Sequence, residues 1–112
     1  MAASAAFLLA LGIAAPANAD TAMTAGTLME KLPTRERSTY IMGLVEGLAY
    51  ARFQKDSAKL GSKDSEGMNC IYGFFYGDSM KALDRIEAAF KKYSDHFPAV
   101  VLTAIVKKEC GE

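Results

Sequence analysis

Two cysteines and one histidine are the residues of this 112-residue chain with the widest chemical scope. Cys70 and Cys110 lie far outside the Cys-x-x-Cys spacing of redox and metal motifs. His96 directly follows Ser94 and Asp95, and three consecutive residues do not make a catalytic triad by adjacency. The chain has no phosphate loop, nucleophile elbow, His-Glu-x-x-His motif or calcium loop. The sequence therefore favours a binding or structural role over an enzyme, without cofactor or metal, and a pH-sensing role for His96 stays open.

The beginning of the chain has the pattern of an export signal. An apolar run over residues 5–15 is too short to cross a bilayer as a helix. Ala17 and Ala19 suit the small subsites of a signal peptidase, so we expect cleavage before Asp20. Residues 1–19 are then a signal peptide.

Residues 20–112 would form a single domain with one core. Two alternatives stay open for the segment ahead of it. The apolar run could be a buried helix, although Pro16 and Asn18 interrupt it. Because export signals normally begin with a basic residue and none precedes Lys31, the true start could also lie upstream of Met1.

Export bears directly on the two cysteines. In an oxidising compartment, two thiols within one small domain tend to pair. A bond between Cys70 and Cys110 would close a loop of about 40 residues and add roughly 4 kcal/mol in the chain-entropy model. We therefore expect a disulfide in a periplasmic or secreted protein.

Charge and hydropathy exclude two classes of partner. Thirteen basic and thirteen acidic side chains give a net charge of zero, so nothing attracts nucleic acid over long range. No second stretch is long and apolar enough to span a membrane. The pairs Lys91-Lys92 and Lys107-Lys108 come near predicted helix ends, where the helix dipole favours cations.

Periodicity indicates an all-α domain, a bundle of four or five helices. In the strongest segment, Ile41, Leu44, Val45 and Leu48 recur at three- and four-residue steps. The last segment, which begins at Pro98, is apolar all round and should be buried on most sides; it also suits a strand, but helix is preferred. The predicted elements are a short helix over 28–32, a helix over 34–53, a polar loop over 54–69, a short helix or turn over 70–76, a helix from 78 or 79 to about 93, and a helix from 98 to the residues before Gly111.

Three small residues, Gly43, Gly47 and Ala51, recur four positions apart on the second predicted helix. Glycine inside a helix costs about 1 kcal/mol relative to alanine, which suggests a structural reason for two of them. We expect another backbone to approach here. A membrane dimer is disfavoured because Glu46 lies within the motif.

An aromatic cluster follows Cys70 directly. Its phenylalanines should be core residues, Phe74 or Phe75 foremost. Tyr72 and Tyr76 are either core or part of a recognition surface, since tyrosine offers a large contact area with a polar tip.

The order of these features resembles the Rap/Tai-type immunity proteins, small periplasmic helical domains that protect bacteria from type VI secreted peptidoglycan amidases. The similar stretches are YIMGLVEGLAYARF, GMNCIYGFFY, LDRIEAAFKKY and VVLTAIVKKEC. The resemblance implies an all-helical fold with Cys70 joined to Cys110, and function by direct inhibition of a cell-wall hydrolase. It identifies no inhibitory residues.

The chain also resembles the periplasmic acid chaperones HdeA and HdeB, which are small, helical and disulfide-linked. In those chaperones the first cysteine precedes the main glycine-containing helix, whereas here that helix precedes Cys70 and Cys110. A chaperone or a structural envelope protein is thus the alternative to an immunity protein. The expected partner is a protein, and a homodimer stays open.

Overall fold

The computed structural model describes residues 22–112, and it places them in five α-helices without a strand in that range. This confirms the predicted all-α bundle. The predicted signal peptide, residues 1–19, lies outside the described residues. The helices are α1 (Ala25–Lys31), α2 (Thr34–Leu60), α3 (Glu66–Tyr76), α4 (Ser79–Lys92) and α5 (Pro98–Cys110).

The short helix α1 is held at its start by a distant loop. The backbone N–H of Ala25 donates to the carbonyl of His96 at 2.7 Å, and that of Gly26 donates to the carbonyl of Ser94 at 2.8 Å. These bonds satisfy amides that a helix start leaves without intrahelical partners. A Cβ on Gly26 would lie 2.8 Å from the Cβ of Ser94, so only glycine permits this approach.

Helix α2 is longer than predicted. The expected helix end at residue 53 is wrong, and the loop expected over residues 54–69 is wrong at both of its ends. The helix continues to Leu60, and Gly61 ends it in the left-handed region with φ 82°. The polar residues after Phe53 remain helical with one side packed, where Arg52 donates to Asp56 one turn later at 2.7 Å. The connection to α3 is reduced to residues 61–65.

Helix α3 packs closely on the second half of α2. Gly67, in its first turn, is buried against Arg52 and Asp56, and a Cβ there would lie 2.4 Å from the Arg52 Nε. The aromatic segment, predicted as a short helix or a turn, is helical. Phe75 is buried in the core and Phe74 is half-buried.

Helices α4 and α5 begin where local signals predict. The Asp78 carboxylate accepts from the backbone N–H of Lys81 at 3.2 Å and caps α4. Pro98 occupies the first turn of α5, which is a helix and not a strand. The expectation that α5 is buried on most sides is wrong, since Val100 is 53% exposed and Ala104 is exposed as well.

One apolar core joins all five helices, and a disulfide between Cys70 and Cys110 ties α3 to the last turn of α5. The predicted pairing is confirmed. Arg52 adds a second tie, because its guanidinium donates to the carbonyl of Gly111 at 2.9 Å and to that of Cys110 at 3.3 Å. The largest fully buried side chains of the core are those of Leu28, Ile41, Val45, Ile71, Phe75, Ile86, Phe90 and Leu102.

Within residues 22–112, no helix combines the length and the apolar character needed to cross a membrane.

Candidate functional site

Gly43 and Gly47, the two glycines of the small-residue stripe of α2, do not pack against another helix of the described residues, so the prediction is wrong at these two positions. Gly43, Gly47 and Ala51 are exposed, and a Cβ on either glycine would meet no atom within 4 Å. The reason is that α2 buries its opposite side, where Ile41 and Val45 enter the core. The stripe therefore leaves a flat strip of helix surface.

Tyr72 and Tyr76, for which the sequence allows either a core position or a recognition surface, lie together on α3 and reach across to α2; Tyr72 is half-buried and Tyr76 is exposed. The Tyr76 hydroxyl donates to the Glu46 carboxylate at 3.0 Å, and the Tyr72 hydroxyl reaches the other carboxylate oxygen at 3.5 Å. The two rings lie 6.1 Å apart between centroids. Glu46 therefore joins both tyrosines, a role that the sequence did not predict.

The exposed surface continues from these tyrosines along α2. Met42 and Tyr50 lie one turn before and one turn after Glu46, and residues four apart are neighbours on a helix. Met42 is 44% exposed, Tyr50 57% and Tyr76 45%. We call these five residues the tyrosine patch: Met42, Glu46, Tyr50, Tyr72 and Tyr76.

The patch is held in place from beneath. Phe75 is buried, and its ring packs edge-on against Tyr76 at 4.9 Å between centroids. Tyr50 stacks against Phe53 at 6.3 Å. Side chains that are already ordered lose little rotamer freedom on binding, so the patch can offer contact area at low entropic cost.

The electrostatics of the patch centre on Glu46. Partial desolvation of the Tyr76 phenol, together with its hydrogen bond to this carboxylate, raises the pKa of Tyr76 above its ordinary value of 10.0. The phenol thus keeps its proton and remains a donor at neutral pH. The aromatic area with polar tips is typical of the centre of a protein interface, and the one carboxylate of the patch is contacted by both tyrosine hydroxyls.

The residues first considered for catalysis are not assembled. His96 is exposed, and its Nδ1 lies 2.9 Å from the Asp95 carboxylate beside it. The carbonyl of Ser94 accepts from α1, so the segment has a structural role. Residues 22–112 contain no cluster of three or more side chains suited to hold a metal ion.

A polar cleft of about 700 Å³ opens beside the disulfide, lined by Arg52, Asp64, Glu66 and Cys70 among others. Arg52 is engaged by Asp56 and the last carbonyls of α5. The Arg52 side chain of this cleft therefore serves to join helices.

No protein-family model, no curated protein and no solved structure matches this chain. The similarity to immunity proteins and to acid chaperones thus stays a prediction from helix order and cysteine placement.

Proposed function

We propose that this protein is an exported, non-enzymatic binding domain that docks on another protein through the tyrosine patch. The observation that carries the proposal is the arrangement of the half-buried Tyr72 and the exposed Tyr76 around Glu46, held by packing and hydrogen bonds. Large aromatic side chains with polar tips supply much of the energy in protein interfaces. The disulfide supports export, because such bonds persist in oxidising compartments.

Within this class, the leading candidate is an immunity-type inhibitor of a peptidoglycan amidase in the periplasm. The support is the resemblance of the glycine-bearing helix and of the two cysteine segments to those of the Rap/Tai-type proteins. A bundle tied by a disulfide suits this role, since a preformed surface loses little entropy when it covers an enzyme's groove. Inhibition would then be stoichiometric and leave the cell wall unchanged.

The test starts with a periplasmic extract. Immobilised protein should capture a cell-wall hydrolase. Purified protein should lower that enzyme's activity in proportion to the amount added, and inhibition should be complete when the two are equimolar. Tyr76→Ala should weaken binding by about 2 kcal/mol, about 30-fold in Kd, as expected for a central aromatic side chain. Isothermal titration calorimetry measures this change.

Tyr40→Ala is the matched control, because Tyr40 is 38% exposed and lies in the first half of α2, outside the patch. It should bind with almost unchanged affinity. Equal weakening by both variants would contradict the assignment of the patch. Capture of many unrelated unfolded proteins at acidic pH, with no hydrolase among the partners, would favour the acid-chaperone alternative.

A further inference from the structure

A groove of about 630 Å³ runs between α4 and α5, away from the tyrosine patch. Arg85 on α4 and Lys108 on α5 line one end. Tyr93 and Val100 line the other end, next to the connection between the two helices. The groove shares no residue with the tyrosine patch, so its role can be tested separately.

The floor of the groove is apolar. Ala89 contributes from α4, and Val100, Ala104 and Ile105 contribute from α5. Val100 is 53% exposed and Ala104 is exposed, although both belong to the helix that the sequence predicted to be buried. This apolar side of α5 therefore has no cover within residues 22–112.

The rim of the groove is basic. Arg85 is already paired, since its guanidinium donates to Glu109 and lies over the Phe74 ring. Lys92 and Lys108 make no ion pair with any carboxylate of the described residues. Lys92 lies over the ring of Tyr93, with 5.5 Å between its ammonium and the centroid. Two uncompensated cations thus flank the apolar floor.

Each of the two lysine pairs, Lys91-Lys92 and Lys107-Lys108, has one member that lines the groove and one that does not. Lys92 and Lys108 line the groove, whereas Lys91 and Lys107 do not. A helix dipole acts on both members of each pair alike, so it explains the basic helix ends but not a cation at each end of the groove. Lys107 instead pairs with Glu112 at 2.6 Å.

We propose that this groove binds an amphipathic helix of a partner protein that carries two acidic side chains two turns apart and apolar side chains between them. Arg85 and Lys108 share one end, and Lys92 lies seven residues from Arg85, about 10 Å along the helix axis. Acidic residues seven positions apart on a ligand helix span the same length. The apolar side chains between them then meet Ala104 and Ile105.

The spacing of the cations also selects the class of ligand. An anionic amphiphile with a single head group would neutralise one end of the groove and leave the other cation unmatched. A helix with two carboxylates satisfies both ends and lies along an open groove, as amphipathic helices do in other helix-in-groove complexes.

The probe is a fluorescein-labelled helical peptide with two Glu residues seven positions apart and two Leu residues midway between them. Fluorescence anisotropy should show saturable binding to the full chain. A peptide with Lys in place of both Glu residues should not bind. Lys92→Glu combined with Lys108→Glu should weaken binding at least about tenfold, because each substitution places a like charge opposite a ligand carboxylate.

The matched control combines Lys91→Glu with Lys107→Glu. It has the same net charge and the same loss of cations at the helix ends, but it leaves the groove unchanged. It should alter the affinity less than about twofold, since only long-range attraction changes. Equal weakening by both double variants would overturn the proposal in favour of non-specific charge attraction.

A second pair of variants tests the floor without changing charge. Ala104→Gln places a larger polar side chain in the groove, whereas Ala99→Gln lies on an exposed part of α5 outside it. Only the first should reduce binding. No saturable binding of the peptide by the wild type would overturn the proposal, and so would binding of anionic phosphatidylglycerol vesicles without binding of the peptide.

Discussion

Glu46 holds the tyrosine patch together, because its two carboxylate oxygens lie within reach of both the Tyr72 and the Tyr76 hydroxyls. The sequence indicated the two tyrosines but not this acceptor. A residue 26 positions earlier becomes their neighbour only when α2 and α3 pack side by side. The only signal in the sequence is a lone acidic residue between Gly43 and Gly47, which argues against a membrane location but indicates no hydrogen-bond partner.

Glu46→Gln should lower the pKa of Tyr76, because it removes the charge that favours the protonated phenol while keeping an acceptor. The raised pKa means that the native state holds this proton to higher pH than the unfolded chain. Its contribution to stability is therefore complete below pH 10, the ordinary value, and is lost as the pH rises through the raised pKa. The variant should lose less stability over that range.

Ultraviolet difference absorbance of tyrosinate measures this titration, and Tyr76→Phe identifies which of the transitions belongs to Tyr76. An identical alkaline titration in the wild type and in Glu46→Gln would contradict the role assigned to Glu46.

Two glycines of the packed pair α2 and α3 should respond differently to replacement by alanine. Gly67→Ala should lower the free energy of unfolding, and Gly47→Ala should raise it. Gly67→Ala would push the Cβ into Arg52, whose guanidinium is fixed by Asp56 and the last carbonyls of α5. We expect a loss of about 1–3 kcal/mol in the free energy of unfolding, the cost of disturbing those charged hydrogen bonds. Gly47→Ala meets open space and should stabilise by about 0.5–1 kcal/mol. Urea denaturation of both variants gives the comparison, and a destabilised Gly47→Ala would contradict the open space around Gly47.

At the scale of the helices, the beginnings of α4 and α5 could be predicted because their signals are local. Asp78 caps one helix and Pro98 opens the other. The extent of α2 could not, because a polar segment that is half packed against α3 has the composition of a loop. Gly61, which does end α2, was visible in the sequence but was one of several turn-forming residues in that segment.

The face that a helix buries was harder to predict than its existence. On α2, the periodic apolar residues predict the buried side correctly, since Ile41 and Val45 enter the core. The glycine stripe is a separate pattern, and Gly43 and Gly47 lie on the opposite, exposed side. The groove was missed because an exposed apolar side of α5 is apparent only once α4 is placed beside it.

At the scale of the whole molecule, the disulfide joins α3 to the end of α5 and closes a loop of 40 residues. Replacing Cys70 and Cys110 by serine should reduce the free energy of unfolding by about 2–4 kcal/mol, chiefly because the unfolded chain gains freedom. The helices should persist, since neither cysteine is among the buried side chains of the core that joins them.

Chemical denaturation followed by circular dichroism measures both effects. The reduced wild-type protein should match the double variant. A double variant as stable as the oxidised protein would contradict this role of the disulfide.

The bonds that hold α1 have a consequence for the order in which the chain folds. A seven-residue helix is not stable alone in water, and the acceptors for Ala25 and Gly26 lie about seventy residues later, at His96 and Ser94. The first of the described helices therefore cannot dock until the connection between α4 and α5 has been synthesised. Such distant pairing slows folding, and it makes the closing of the bundle at α1 a late event.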